Sequence, residues 1–377
     1  MMETLDTRIR AMLSGSHFVL IGAGQLGEMA ISLWPSAISL PSVILDSNRT
    51  GQCRGIDIIK LQEYRAVPAP VFLLSAFKLR PQEVTDIFAR LGQDVILTVY
   101  DFFEQHCPNK FSNGWRCLSP NSDKWSRLDS ARECFADERS LGVLDASIDW
   151  RYRRKLAMDF ECERESTKYD LRHYPVKLGA YDAVFDCGAY DLSLAGYLSA
   201  AGLRTKLYVA FEPDDISFER CMAALDSLAP LTPEMVLVEK IALFEDDANH
   251  IFLEGGLLSS RLAPKSSKEL PGSKKSIRTM TLDGYIQKFH PACKGRILLK
   301  LHVEGAEFSV LRGAETLIRA AKPDIFVNLS HDETSLLEIP PFLRAIGGYK
   351  IYLAGHSLFG EGLTLFATQF SKEVSDE

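Results

Sequence analysis

Short apolar runs alternate with amphipathic stretches along most of this chain, the pattern of strands and helices in a parallel α/β sheet. Near the start, HFVLI (17–21) reads as a strand, the stretch up to Pro35 as a helix, and SVILD as a second strand ending in Asp46. DSNRTGQCRGIDIIKLQEY reads as a loop leading to a short strand and a helix. PVFLLSAF is a further strand, RPQEVTDIFARLG a helix ending at Gly92, and DVILTVYDF another strand. From about Tyr169 the alternation resumes with AVFDCGAYD, KLYVAFEPD, MVLVEKIALF, IRTMTLD, RILLKLHVE and DIFVNLSH. YKIYLAG and LTLFATQF close it as an expected antiparallel pair at the sheet edge. The expected organisation is a small Rossmann-like domain over 1–102, a helical connector over 103–168 and a larger α/β domain over 169–377.

The stretch from Ala183 to Asp214 is one β-α-β unit, with its ligand crevice at the carboxyl ends of the strands. Gly188 in the first turn would allow a ligand close to the backbone, and Glu212 ends the second strand 24 residues later, where a ribose-binding acid sits in such units. Tyr190 and Asp191 interrupt a full G-x-G-x-x-G, so a pyrophosphate is a poorer fit than a nucleoside with a small zwitterionic tail, such as S-adenosylmethionine. In that reading Asp186 serves the ammonium and Glu212 accepts from both ribose hydroxyls.

The amino-terminal strand runs into a complete G-x-G-x-x-G at Gly22, Gly24 and Gly27, and Asp46 follows Gly24 by 22 residues. That order suits a nucleotide or NAD(P). The competing reading gives the glycines only helix–strand packing. An NAD(P)-binding oxidoreductase is one alternative function, weakened by the small domain and by the lack of a Tyr-x-x-x-Lys beside it. The unit is similar to small Rossmann-like modules that precede transferases of surface-polysaccharide biosynthesis.

The second domain resembles the FkbM family of S-adenosylmethionine-dependent methyltransferases. FDCGAYD, FEPD, the IAL after the third strand, TLD (281–283), KLHVEGAE (300–307), VLRGAE (310–315) and the KP turn (322–323) carry the resemblance over roughly residues 170–368. It implies a seven-stranded class I methyltransferase sheet for this domain, which with the amino-terminal unit makes an α/β fold of two Rossmann-like domains. It also implies methyl transfer to a hydroxyl of a sugar, glycan or related natural product. Carried over by position, Asp186, Cys187, Gly188, Ala189 and Tyr190 form the first cofactor loop, Glu212 and Pro213 the ribose end, and Ile241 and Ala242 the adenine clasp. Lys300, Glu304, Gly305 and Glu307 match the fourth-strand motif, and His331 matches a histidine at the end of the following strand. Two positions depart: Asp191 stands where a second glycine is expected, and His302 where an aspartate is expected.

Imidazole suits the proton removal that O-methylation needs. Period-two alternation would put Lys300, His302 and Glu304 on one strand face, with Glu304 orienting His302 and Lys300 holding an acceptor oxygen. The rival reading takes Asp191 and His302 as marks of a catalytically decayed binding protein in a polysaccharide biosynthesis complex.

Composition changes this picture little. With 46% hydrophobic and 25% charged residues, the 377-residue chain is ordinary globular protein. A net charge of -7 argues against nucleic acid as partner. Eight cysteines without C-x-x-C or Cys/His spacing read as reduced thiols. No run is long enough to span a bilayer and the first residues lack a signal-peptide core, so the expectation is cytoplasmic. A small-molecule or glycan acceptor is the expected partner, and an oligomer is compatible with the pattern. No metal site is expected; Glu307 and Asp283 are isolated acids at no ligand spacing. Trp115, Trp125 and Trp150 in the connector read as packing residues, with a sugar subsite as the alternative.

Overall fold

The computed structural model describes residues 5–65, 68–76, 79, 81–107, 122–155, 170–175, 179–228, 234–254, 261–262, 273–331, 333–355 and 363–370. The chain divides into two compact units. One is built mainly from Met1–Trp125 and Gly142–Arg164, the other from Ser126–Leu141, Glu165–Ala354 and Gly362–Glu377. The stretch read as a connector is thus shared between them. Trp150 lies in the amino-terminal core, and Trp125 meets Tyr152 edge-on at 5.5 Å. Trp115 lies outside the described residues.

The first unit holds a five-stranded sheet of β1 (His17–Ile21), β2 (Val43–Leu45), β3 (Gly51–Cys53), β4 (Ile56–Ile59) and β5 (Pro70–Leu74). Its order is β3-β4-β2-β1-β5, parallel except for the β3/β4 pair. Trp34 stacks on Phe102 at 4.0 Å in its core, and Phe18 meets both rings edge-on. Two expected elements differ. The helix after β4 is a single 3-10 turn, Leu61–Glu63. DVILTVYDF bends into the helix Val99–His106 after one bridge between Leu74 and Thr98. The reason is a capping box: Thr98 accepts from the Asp101 amide, and the Asp101 carboxylate accepts from the Thr98 amide at 2.7 Å. Asp101 also pairs with Arg154, both nearly inaccessible.

The second unit holds β6 (Tyr181–Cys187), β7 (Thr205–Phe211), β8 (Met235–Glu239), β9 (Ala242–Leu243), β10 (Asn249–Glu254), β11 (Arg261–Leu262), β12 (Ser273–Met280), β13 (Ile297–Leu301), β14 (Asp324–Asn328), β15 (Lys350–Gly355) and β16 (Leu363–Thr368). Seven of these form one sheet in the order β15-β16-β14-β13-β6-β7-β8. Strands β8, β7, β6, β13 and β14 are parallel, and β16 runs antiparallel to β14. The two closing strands are hydrogen-bonded neighbours at that end of the sheet, as the sequence suggested, with β15 at the edge and β16 between it and β14. The strands β9, β10, β11 and β12 make a separate four-stranded sheet. The excursion from Glu245 to Ser276 is, where described, the antiparallel pairing of β10 with β12.

The sheet is apolar on both faces, as a parallel sheet covered by helices requires. All five residues of β13 and all five of β14 are buried. One buried polar residue, at the start of β14, is satisfied there: Asp324 accepts from Arg296 at 2.7 Å, Tyr181 at 3.1 Å and Thr368 at 2.5 Å.

Candidate active site

Parallel strands deliver their carboxyl ends to one edge, and the loops there carry the functional residues expected in the second unit. The turn after β6 begins at Gly188, whose φ is +78°. A Cβ at this position would lie 1.9 Å from the His302 carbonyl oxygen. The glycine is demanded by the loop after β13 crossing behind it, so the close approach is to the chain's own backbone rather than to a ligand.

The same crossing decides the fate of the charged pair. Asp186 and Lys300 face each other in register across β6 and β13, each 1% exposed. Lys300 Nζ donates to Asp186 Oδ1 at 2.7 Å and to the Gly188 carbonyl at 2.6 Å, and the Tyr208 hydroxyl donates to Asp186 Oδ2 at 2.5 Å. Asp186 and Lys300 thus serve each other inside the sheet, where the sequence suggested a cofactor ammonium for one and an acceptor oxygen for the other. Cys187 is fully buried, which pushes its thiol well above the usual range. Ala189 is buried, Pro213 and Ile241 are half-buried, and Ala242 is buried at the start of β9.

Glu212 follows β7 and ties the two cofactor-side loops together. Its Oε2 accepts from the Tyr190 amide at 2.9 Å and its Oε1 from the Asp214 amide at 3.0 Å. Burial pushes this carboxyl up to about 7, against the pull of the two amides and of Lys300. Tyr190 and Leu192 take left-handed backbone, with φ of +57° and +58°. The Arg220 guanidinium donates to the Tyr190 hydroxyl at 2.5 Å and lies 5.2 Å from its ring centre. Asp191, in the place of a glycine, accepts from the Ser193 amide at 3.0 Å at the start of the helix Ser193–Ala200.

Beyond β13 and β14 lies a cluster of imidazoles and carboxylates. Strand β13 stops at Leu301, and Glu304 takes φ +54° in the turn that follows, so Lys300, His302 and Glu304 do not share a strand face. Instead, Glu304 Oε1 lies 3.6 Å from His302 Nε2 and 3.4 Å from His331 Nε2. The two rings stack at 4.8 Å with planes 21° apart. Glu307 is inaccessible, accepts from the Val303 and Gly305 amides at 3.0 Å each, and lies 2.7 Å from His331 Nδ1. Asn328 Nδ2 lies 3.0 Å from His302 Nε2. Asp283, the other isolated acid, caps the helix Glu315–Ala321 through the Thr316 and Leu317 amides. Sequence reasoning passed over Tyr208 and Asn328. A polar residue set in a buried strand was the available signal, since its group must find a partner inside.

The amino-terminal glycine loop is mostly self-supporting. A Cβ on Gly22 would meet Ala76 and Ser75 at 2.9 Å, and one on Gly27 would meet the Gly22 carbonyl at 2.4 Å, so both serve helix–strand packing. Only Gly24 of the three has nothing within 4 Å. Asp46 accepts from the Ala23, Asn48 and Arg49 amides at 2.8 Å each. Burial raises its pKa, but these amides and the Arg49 guanidinium outweigh it and hold the carboxyl below its ordinary value. Its oxygens are thus engaged with the loop itself.

Residues 186–351 match the family described as the methyltransferase FkbM domain. No curated protein matches the chain. Among solved structures, the chain is similar in fold to the crystal structure of methyltransferase FkbM from Methylobacillus flagellatus, with a TM-score of 0.66 and 16% identity, over 97% of this chain and 93% of that one. Among the described residues no helix is long and apolar enough to cross a membrane. The seven-stranded sheet, the loops at its carboxyl edge and the family match together make the C-terminal unit a methyltransferase domain of the FkbM family.

Proposed function

We propose that this chain is an S-adenosylmethionine-dependent O-methyltransferase whose acceptor is a hydroxyl of a sugar, glycan or related natural product. The observation that carries the cofactor is Glu212: a carboxylate at the end of β7, held by the Tyr190 and Asp214 amides. Each of its oxygens has a second lone pair for a ribose hydroxyl. Tyr190, Pro213, Ile241 and Ala242 would border the nucleoside. Bound S-adenosylmethionine supplies an electrophilic methyl group on a sulfonium.

The chain's own part is alignment and proton removal. His302 and His331 stand at the ends of neighbouring strands, and Glu304 and Glu307 hold them in place. An imidazole that accepts the acceptor's proton is stabilised as a cation by these carboxylates. The buried Asp186–Lys300 pair keeps the β6 and β13 loops in register beneath them. A cytoplasmic setting and a place in polysaccharide biosynthesis are consistent with this reading.

Calorimetric titration of the full chain with S-adenosylhomocysteine tests it, repeated on Glu212→Ala. Micromolar binding that the substitution abolishes is expected. No binding by the unaltered chain at millimolar ligand would overturn the proposal.

A further inference from the structure

We propose that His302 Nε2, Glu304 Oε1 and His331 Nε2 form a binding site for one divalent transition-metal ion. The three residues come from two loops and offer ligand atoms that all lie within 4.8 Å of one another. At metal–ligand bonds of about 2.1 Å, neighbouring donors on one ion stand about 3–3.5 Å apart. Glu304 Oε1 already lies 3.6 Å and 3.4 Å from the two imidazole nitrogens, whereas the widest separation in the group, up to 4.8 Å, would close by about 1.3 Å or more on an ion.

Hydrogen bonding sets the tautomers of both rings. His331 Nδ1 faces Glu307 Oε1 at 2.7 Å, and a carboxylate accepts, so Nδ1 carries the proton. Its Nε2 then presents a lone pair on the Glu304 side. Glu307 is itself fixed by the Val303 and Gly305 amides. Carboxylate behind histidine is the arrangement that orients metal-ligating imidazoles and raises their basicity. On the other ring, the Ser330 amide donates to Asn328 Oδ1 at 2.8 Å, which orients the Asn328 amide. Its N–H therefore points at His302 Nε2, 3.0 Å away, so that nitrogen also presents a lone pair. Coordination would exchange this N–H donation for a metal bond. The His331 lone pair and the Glu304 oxygen thus face each other, and the His302 lone pair, held by the Asn328 N–H, would turn to join them on a cation.

Glu304 reaches both imidazole nitrogens from a backbone at φ +54°, a conformation unfavourable for a residue with a side chain. The side chains of His302, Glu304 and His331 are 15%, 27% and 17% exposed, so the cluster is open on one side. Two nitrogens and one oxygen suit manganese, iron, cobalt, nickel or zinc better than calcium or magnesium, which prefer oxygen donors. The open side would take a hydroxyl oxygen of the methyl acceptor, and with both Nε2 lone pairs engaged the ion, in place of an imidazole base, would ease loss of its proton; this last clause rests on the methyl-transfer reading, whereas the ion site does not.

The test is a titration of the chelator-stripped full chain with Co(II), followed by its visible absorption. One ion per chain at micromolar affinity is expected, without the near-ultraviolet band that a cysteine thiolate ligand would add. His302→Ala and His331→Ala should each abolish binding, and Glu307→Gln should weaken it about tenfold or more. Circular dichroism checks that each variant folds, and Glu304→Gln offers a milder change at the same site. No binding at millimolar Co(II), a thiolate spectrum, or unchanged binding by folded His302→Ala and His331→Ala would overturn the proposal. S-adenosylhomocysteine titration of the same samples separates the two readings. Metal binding without nucleoside binding keeps the ion site and removes its acceptor role, whereas nucleoside binding without metal removes the ion site alone.

Discussion

Replacing Glu212 by glutamine should remove a pH dependence of stability that the wild-type C-terminal unit carries. The carboxyl is pushed from its ordinary 4.5 up to about 7 in the folded chain, mainly by burial. A group whose pKa is raised by folding stabilises the fold below its unfolded value, and that stabilisation is lost as pH rises through the folded value. Between pH 4.5 and 7 the folded unit keeps a proton that the unfolded chain releases. Stability therefore falls by about 1.4 kcal/mol per pH unit, roughly 3 kcal/mol in all. The glutamine side chain cannot ionise, so this contribution vanishes, while one of the two amide contacts is lost at about 1 kcal/mol independent of pH. The four tryptophans (Trp34, Trp115, Trp125, Trp150) all precede residue 165, so their fluorescence does not report the unit of interest. Hydrogen exchange read by mass spectrometry on peptides covering β6 and β7 does. Protection corrected for intrinsic exchange should fall with pH between 5 and 7 in the wild type, more steeply than in Glu212→Gln. Parallel pH dependence in the two chains would refute the reasoning.

Further substitutions probe the crossing of the β6 and β13 loops, with Gly24 in the amino-terminal loop as the comparison. Gly188→Ala should destabilise the C-terminal unit by about 3 kcal/mol or more, because its Cβ meets the His302 carbonyl at 1.9 Å and φ is +78°. Gly24→Ala, with nothing within 4 Å, should change stability by less than about 1 kcal/mol; hydrogen exchange of each unit distinguishes the outcomes. Lys300→Met leaves Asp186 buried without its cation and should cost about 3–5 kcal/mol, with Asp186→Asn added in the same chain recovering much of it. Equal protection in Lys300→Met and wild type would show that the pair does not hold the two strands.

The amino-acid sequence by itself determined the architecture. Apolar runs of strand length separated by helical stretches dictate a parallel α/β sheet, since such runs can be buried only with helices on both faces. The motifs FDCGAYD, FEPD and KLHVEGAE identified the methyltransferase unit and, with the strand DIFVNLSH, put Glu212, His302 and His331 at strand ends. Local chemistry was legible less evenly. DVILTVYDF has a strand's composition, yet the Thr98–Asp101 capping box turns it into a helix, a local signal overridden in a count of apolar residues. What each polar residue does was decided only by tertiary structure. Asp186 and Lys300 are 114 positions apart in the sequence, and strand register alone makes them a buried pair. Gly188 looked like a ligand-contacting glycine because the sequence does not show which backbone passes behind it. The grouping of His302 and Glu304 with His331 likewise depends on β13 and β14 lying side by side and on the left-handed turn at Glu304. Periodicity describes one element at a time, whereas a site is made where elements distant in the chain meet.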